Sequence, residues 1–405
     1  PMHCLQAVGT ANTYIGIFII MFSVISSGMV AVMTQNIGAG RPGVAYQARQ
    51  LGLAFNAVLG VIMSLFLSLG AGTILSGVGV ADALMQPAKT YLQIVGGFCI
   101  LNALIPICSS YLRAFGFSKE PLYASIIGNV INFCLNAFFL FVLHKGVAGV
   151  ATATVISRII NLVIVVLLGA VLVKAKQHPE RESNRAVMGQ IIRIGLPSAC
   201  ETAIYNVSMT LVIRFLNQMD AQGLNVTARS YTMQITNFSY CVGAALAQAN
   251  AIMTGWHIGA KEYDACDRGT KKAAVIGVIV AVILETVFTL CSGWIMQLFS
   301  KDPQMVSLVG KLLAIDIVLE IGRVTNLVYG QALKTSGDAV FPVVMGACFM
   351  ILCSVGGTYL FGIRLGLLAV GAYIGMTGDE CVRAVGMYLR WKSGKWKEKG
   401  LVKSR

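Results

Sequence analysis

The chain has 405 residues, of which 56% are hydrophobic and 12% charged, and its mean hydropathy is +0.75. So little charge cannot cover the surface of a soluble domain of this size, which excludes a water-soluble enzyme or binding module. A net charge of +14 would point to nucleic acid in a soluble protein. Here the basic residues stand at the ends of apolar stretches, as membrane topology requires, so no nucleic-acid partner is expected.

In chain order, eleven apolar spans are predicted over 14–33, 51–75, 91–112, 122–143, 147–173, 196–216, 231–253, 273–298, 306–333, 341–361 and 365–389. Their length of about 20 residues matches a hydrocarbon core of roughly 30 Å. They lack the strict alternation of barrel strands, and backbone groups in lipid must be satisfied internally, so the spans are read as helices. The fold class is an all-α integral membrane protein.

Residues 174–193 form the only long polar stretch, between the fifth and sixth spans. It divides the chain into an N-terminal lobe (1–175), a cytoplasmic linker (176–193), a C-terminal lobe (194–390) and a basic, exposed cytoplasmic tail (391–405). With the loop after the first span placed inside, the inner segments carry 21 Lys and Arg and the outer loops four, Lys89, Lys145, Lys301 and Arg364. That asymmetry sets the C-terminus in the cytoplasm and the start of the chain outside; the membrane expected is the cell inner (plasma) membrane.

The eleven cysteines are scattered with no C-x-x-C pair and read as small buried hydrophobes. His3, His144, His178 and His257 lie in loops or at span ends without ligand spacing. No metal site, catalytic set or cofactor is expected from them.

The two halves repeat. Arg113, Gly116 and Pro121 in RAFGFSKEP recur 221 residues later as Lys334, Gly337 and Pro342 in KTSGDAVFP, and Gly38-Ala39 recurs as Gly259-Ala260. At an offset of 220, Ala31, Met33 and Thr34 match Ala251, Met253 and Thr254, and Gly146 and Val150 match Gly366 and Val370. By that offset the partner of the sixth span would precede residue 1, so a first helix is expected to be missing, and the whole would be two parallel six-helix repeats.

These segments resemble the multidrug and toxic compound extrusion (MATE) antiporters over essentially the whole chain. The likeness is carried by TQNIGAGRPGVAYQAR, GFSKEPLYASIIGNVINFCLN, GVAGVATATVIS, IGLPSACE and EIGRVTNLVYGQALKTSGDAVFP. The resemblance implies a V-shaped pair of lobes that exports drugs and organic cations against Na⁺ or H⁺. It implies no cofactor beyond the coupling ion, no enzyme activity, and small-molecule substrates; a monomer is expected.

Ionisable residues within spans are functional candidates because burying them is costly. Glu201 lies near the entry of the sixth span. In the sodium-coupled branch the resemblance puts the essential carboxylate one turn later, where this chain has Tyr205. Asp316, Glu320 and Arg323 share one face of the ninth span. The same branch carries a carboxylate eleven residues before the basic turn residue, and here that position is Arg323. Glu320 and Arg323 read either as a structural pair or as a cavity-facing charge site.

In the N-terminal lobe Asn129, Asn132 and Asn136 share a face of the fourth span. Asn132 and Asn136 match positions that are asparagine and aspartate in the proton-coupled branch, and Thr154 matches a polar lobe-lining position. Interhelical amide bonding is the plain alternative for these residues. Asp379 and Arg383 are spaced to pair, Glu285 stands alone in the eighth span, and Arg158, Arg214 and Arg229 read as near-interface or paired. Ion coupling is therefore expected mainly in the C-terminal lobe, from Glu201, Asp316 and Glu320. A lipid-linked oligosaccharide flippase of the same superfamily would share the fold but should present a more strongly cationic cavity.

Overall fold

The computed structural model describes residues 2–77, 82–174, 178–220 and 222–402. Lys176, Lys403, Arg405 and the side chain of His3, all weighed above, lie outside the described residues. Among the described residues there is no strand, and eleven long helical stretches stand where hydropathy places spans. These are α1 (Met2–Gly38), α2 (Pro42–Leu69), a short α3 (Ala71–Gly77), then α4 (Asp82–Tyr91) running through a π-helical stretch, Leu92–Gly96, into α5 (Ile100–Ala114). There follow α6 (Lys119–Ala137), α7 (Gly146–Leu172), α8 (Asn184–Met219), α9 (Leu224–Gly259) and α10 (Tyr263–Leu290). A short α11 (Ser292–Met296), α12 (Pro303–Ser336), α13 (Val340–Phe349) with two π-helical extensions, and α14 (Leu368–Lys392) complete the chain. The third span is not straight: Leu84–Gly96 and Ile100–Ala114 meet at 42°.

The internal repeat is written into the backbone. The helices α2 and α10 have 28 residues each and begin 221 positions apart. Gly116 (φ 89°) and Gly337 (φ 101°) both take the left-handed conformation that ends a helix, as do Gly40 (φ 71°) and its counterpart Lys261 (φ 61°).

By contacts the chain divides into two compact units, Pro1–Ala199 and Cys200–Arg405. Within the first unit, glycines let backbones approach. Gly28 of α1 lies against Ile191, and Gly195 against Val24, where any Cβ would collide with backbone. Lipid gives helices no hydrophobic reason to associate, so such small-residue contacts and polar links do the holding. Asn56 donates to the Phe22 and Ala103 carbonyls at 3.3 and 3.2 Å, linking α1, α2 and α5.

Two segments differ from the expectations above. Residues 184–193, read as linker, form the first turns of α8. The residues before them are tied to the start of α2: Arg41 pairs with Glu182 at 2.7 Å, and Gln47 donates to the Glu182 carbonyl and to Asn184 Oδ1. Polarity marked this stretch as loop, whereas local hydrogen bonds make half of it helix.

The described tail lysines, Lys392, Lys395, Lys397 and Lys399, are exposed, but two tryptophans anchor the tail to the second unit. Trp391 and Trp396 are buried and stacked, with ring centroids 4.1 Å apart. Trp391 Nε1 donates to Asp267 Oδ1 at 2.8 Å, Trp396 Nε1 to the Trp391 carbonyl at 2.9 Å, and Arg390 Nε to Asp338 Oδ2 at 2.7 Å. The charge count drew attention to the lysines, but the indoles set the packing.

In the second unit α12 packs against α9, α10 and α14. Gly243 of α9 and Gly277 of α10 both face Val324, where an added Cβ would lie 2.8 and 2.7 Å from its methyl groups. The three helices therefore close together one turn beyond Glu320.

Candidate functional site

Helical spacing aligns Asp316, Glu320 and Arg323 on α12, and the close packing at Val324 turns that face toward α9 and α10. Asp316 is 2% exposed and Glu320 fully buried. Arg323 Nη1 donates to Glu320 Oε1, and Arg323 Nε also lies 3.7 Å from Glu380 Oε1 on α14. The approach of α14 depends on Gly322, where a Cβ would sit 2.9 Å from Cys381 N.

The network continues along α14. Arg383 contacts Glu380 at 3.0 Å and holds Asp379 through two bonds of 2.8 and 3.0 Å, while Ser354 donates to Asp379 and Asn326 to Glu380. Charge-assisted, bidentate contacts of this kind make burial of so many ions tolerable.

Glu285 does not stand alone, as the sequence reading had it. This fully buried residue of α10 meets Asp316 and Glu320, with one carboxylate oxygen from each lying within 4.8 Å of the others. Among the described residues Asp316 Oδ2 and Glu320 Oε2 lack a hydrogen-bond partner, and Ser239 of α9 lies beside Glu285. Periodicity within one helix cannot show this, because Glu285 reaches the group from a different helix.

Glu201, on α8, is placed apart from that group. Its Oε2 lies 2.5 Å from Lys334 Nζ at the end of α12. Two neighbouring cavities line this side of the second unit. One, of about 270 Å³, is walled by Met209, Met233, Tyr240 and Tyr373 and admits Asp316, Arg323 and Arg229. The other, of about 250 Å³, is bordered by Glu201, Lys334, Glu380 and Arg383, and the two share Tyr205, Tyr240 and Arg323. Arg229 was read as paired or near the interface. It is 6% exposed on the first cavity, with no ion-pair partner among the described residues and Met209 Sδ at 3.6 Å, so the pairing alternative finds no partner.

In the first unit Asn132 donates to Ser157 Oγ at 3.3 Å and accepts from Asn136 at 3.0 Å. The Thr154 hydroxyl bonds the Val150 carbonyl of its own helix. Asn132 and Thr154 line a third cavity of about 170 Å³ with Asn129, Asn161 and Arg158, and among the described residues no carboxylate lines it.

With this geometry in view, comparisons with known proteins are specific. The MatE family model matches residues 3–138 and 197–360. An uncharacterized transporter of Bacillus subtilis, YisQ, is 32% identical over 99% of this chain and 89% of its own length. A probable multidrug resistance protein of Thermotoga maritima, NorM, is 21% identical over 98% of this chain and 86% of its own. Among solved structures, a MATE transporter in its straight conformation superposes with a TM-score of 0.88 at 19% identity, covering 98% of this chain and 89% of that one.

Proposed function

We propose that this chain, which belongs to the MatE family of membrane transporters, is a secondary active exporter of small organic compounds driven by inward Na⁺ or H⁺. Members of that family are transporters rather than enzymes, and the chain is a multi-pass membrane protein. The observation that carries the coupling part of the reading is the cavity of about 270 Å³ into which Asp316 and Arg323 project among methionine and tyrosine walls.

Soft, adaptable methionine and aromatic walls accept varied organic shapes. Charges kept inside a membrane bundle give a cation something to bind whose presence alters that wall. In this reading Asp316 and Glu320 respond to the coupling ion, and Glu201 and Lys334 brace the cavity. Asn132, Asn136 and Thr154 offer polar contacts to substrate in the N-terminal half. The Lys and Arg asymmetry supports a cytoplasmic C-terminus; in this reading the chain works in the plasma membrane as a monomer.

The second reading, a lipid-linked oligosaccharide flippase, has one observation in its favour, Arg229 on the cavity with no ion-pair partner among the described residues. Ethidium efflux from cells expressing the protein, with Na⁺ and pH gradients imposed separately, tests the choice. Efflux accelerated by one gradient supports the exporter; no efflux under either supports the flippase.

A further inference from the structure

One stripe of α9 builds a wall of the cavity of about 270 Å³. Arg229, Met233, Thr236 and Tyr240 all line it, and their spacing of i, i+4, i+7 and i+11 puts them on one helical face. The stripe runs roughly 16 Å along the helix, with the guanidinium at one end and an aromatic ring at the other.

Arg229 is the unanswered charge of this wall. It is 6% exposed, its Nε has no hydrogen-bond partner among the described residues, and Nη2 donates to Met209 Sδ at 3.6 Å. A guanidinium carries five donors and does not lose its charge in a protein, so one thioether leaves it largely unsatisfied. An arginine near the end of a span can snorkel its head into the headgroups, but this one turns inward to the cavity. Asp316 lines the same cavity and yet makes no ion pair with it. Arg323, the other arginine there, already has Glu320 and Glu380. A buried charge without a partner is the costly state, and a bound anion relieves it.

The surroundings narrow the anion. The fork of a guanidinium matches the plane of a carboxylate through two parallel bonds. A small inorganic ion would leave the rest of the slot empty, whereas Met209, Met233, Tyr240 and Tyr373 offer sulfur and ring faces to an aromatic group. We propose that Arg229 is the anion-recognising residue of this cavity and that it adds aromatic carboxylates to the compounds the protein takes, the guanidinium clasping the carboxylate and the ring lying along the methionine and tyrosine walls. The proposal deepens the exporter reading and rests on it for transport, though not for binding.

The test is thermal unfolding of the purified full-length protein in detergent with sodium 2-naphthoate, its neutral analogue 2-naphthylmethanol, NaCl or sodium pyrophosphate, at matched Na⁺ concentration. A ligand that binds only the folded state raises Tm with its concentration. Naphthoate should raise Tm several degrees above NaCl, and naphthylmethanol should do much less. Arg229→Lys keeps the charge without the fork and should raise the half-saturating naphthoate concentration about tenfold; Arg229→Met should abolish the effect. Without ligand, Arg229→Met should unfold no earlier than the unaltered protein, because it removes a buried charge that has no ion-pair partner. Arg229→Gln serves in its place should Arg229→Met not fold, and failure of both to fold makes the residue structural and overturns the proposal. Equal stabilisation by naphthylmethanol, or a naphthoate effect that survives loss of the guanidinium, also overturns it. Stabilisation by pyrophosphate or chloride but not naphthoate overturns the carboxylate class. Ethidium export without naphthoate binding would discard the site and keep the exporter; naphthoate binding without export of any compound would discard the exporter and keep the site.

Discussion

Lys334 Nζ lies 2.5 Å from Glu201 Oε2, joining the last turn of α12 to the middle of α8 across a border of the second cavity. Glu201, which the sequence reading groups with Asp316 and Glu320 as a coupling candidate, is thus a partnered carboxylate. Glu201→Gln should leave Lys334 without its counter-ion and lower stability by about 1–3 kcal/mol. Glu201→Gln combined with Lys334→Met should recover part of the loss. Additive losses in a double-mutant cycle on unfolding would contradict a working pair.

Arg323 should matter more to stability than Glu320. On spacing alone the reverse is expected, because removing Glu320 would strand an arginine. The structure supplies Glu380 as a second partner, so Arg323 survives the loss of Glu320, whereas Arg323→Ala leaves the three-carboxylate group with no cation. The difference between Arg323→Ala and Glu320→Ala should be on the order of 1–2 kcal/mol and should shrink in NaCl. Equal losses with and without NaCl would contradict it.

The tail should be required for a stable fold. Trp396→Ala removes one of two stacked, buried indoles and should cost about 3 kcal/mol. Trimming the chain after Gly394, harmless if the tail were a free basic end, should lower membrane abundance. Abundance and efflux equal to the intact chain would show that the clasp is dispensable.

Asp220 in the loop before α9 gives a pH effect of known sign. Slight burial works against its charge, but hydrogen bonds from Asn225 and from the Leu224 amide at 2.9 Å outweigh it and hold the carboxyl below its ordinary pKa. A depressed folded value means that its stabilisation is present above the unfolded pKa and fades as pH falls through the folded one. Asp220→Asn should therefore lower Tm slightly at neutral pH and make no difference in strong acid; a constant offset at all pH values would contradict the linkage.

What the sequence made legible follows from how far apart the interacting residues lie. The pairs Glu320–Arg323 and Asp379–Arg383 each sit within one helical turn, so spacing alone brings them together. The turn glycines at 116 and 337 were legible because a fixed offset repeats them. Glu285 was missed because its partners are on another helix, and nothing in its own span records that Gly243 and Gly277 draw three helices together around Val324. Lys334 and Glu201 are separated by more than a hundred residues, so their pairing was illegible for the same reason. In the tail, charge obscured two tryptophans whose partners, Asp267 and each other, only the fold reveals.

The central claim, export coupled to a cation, is tested most directly in proteoliposomes holding the purified protein. An ethidium gradient across the vesicle wall should drive Na⁺ or H⁺ the opposite way, and this movement should be lost in Asp316→Asn and Glu320→Gln while both variants remain folded. Ethidium that crosses with no opposing movement of either cation, or a coupled flux untouched by both substitutions, would contradict it.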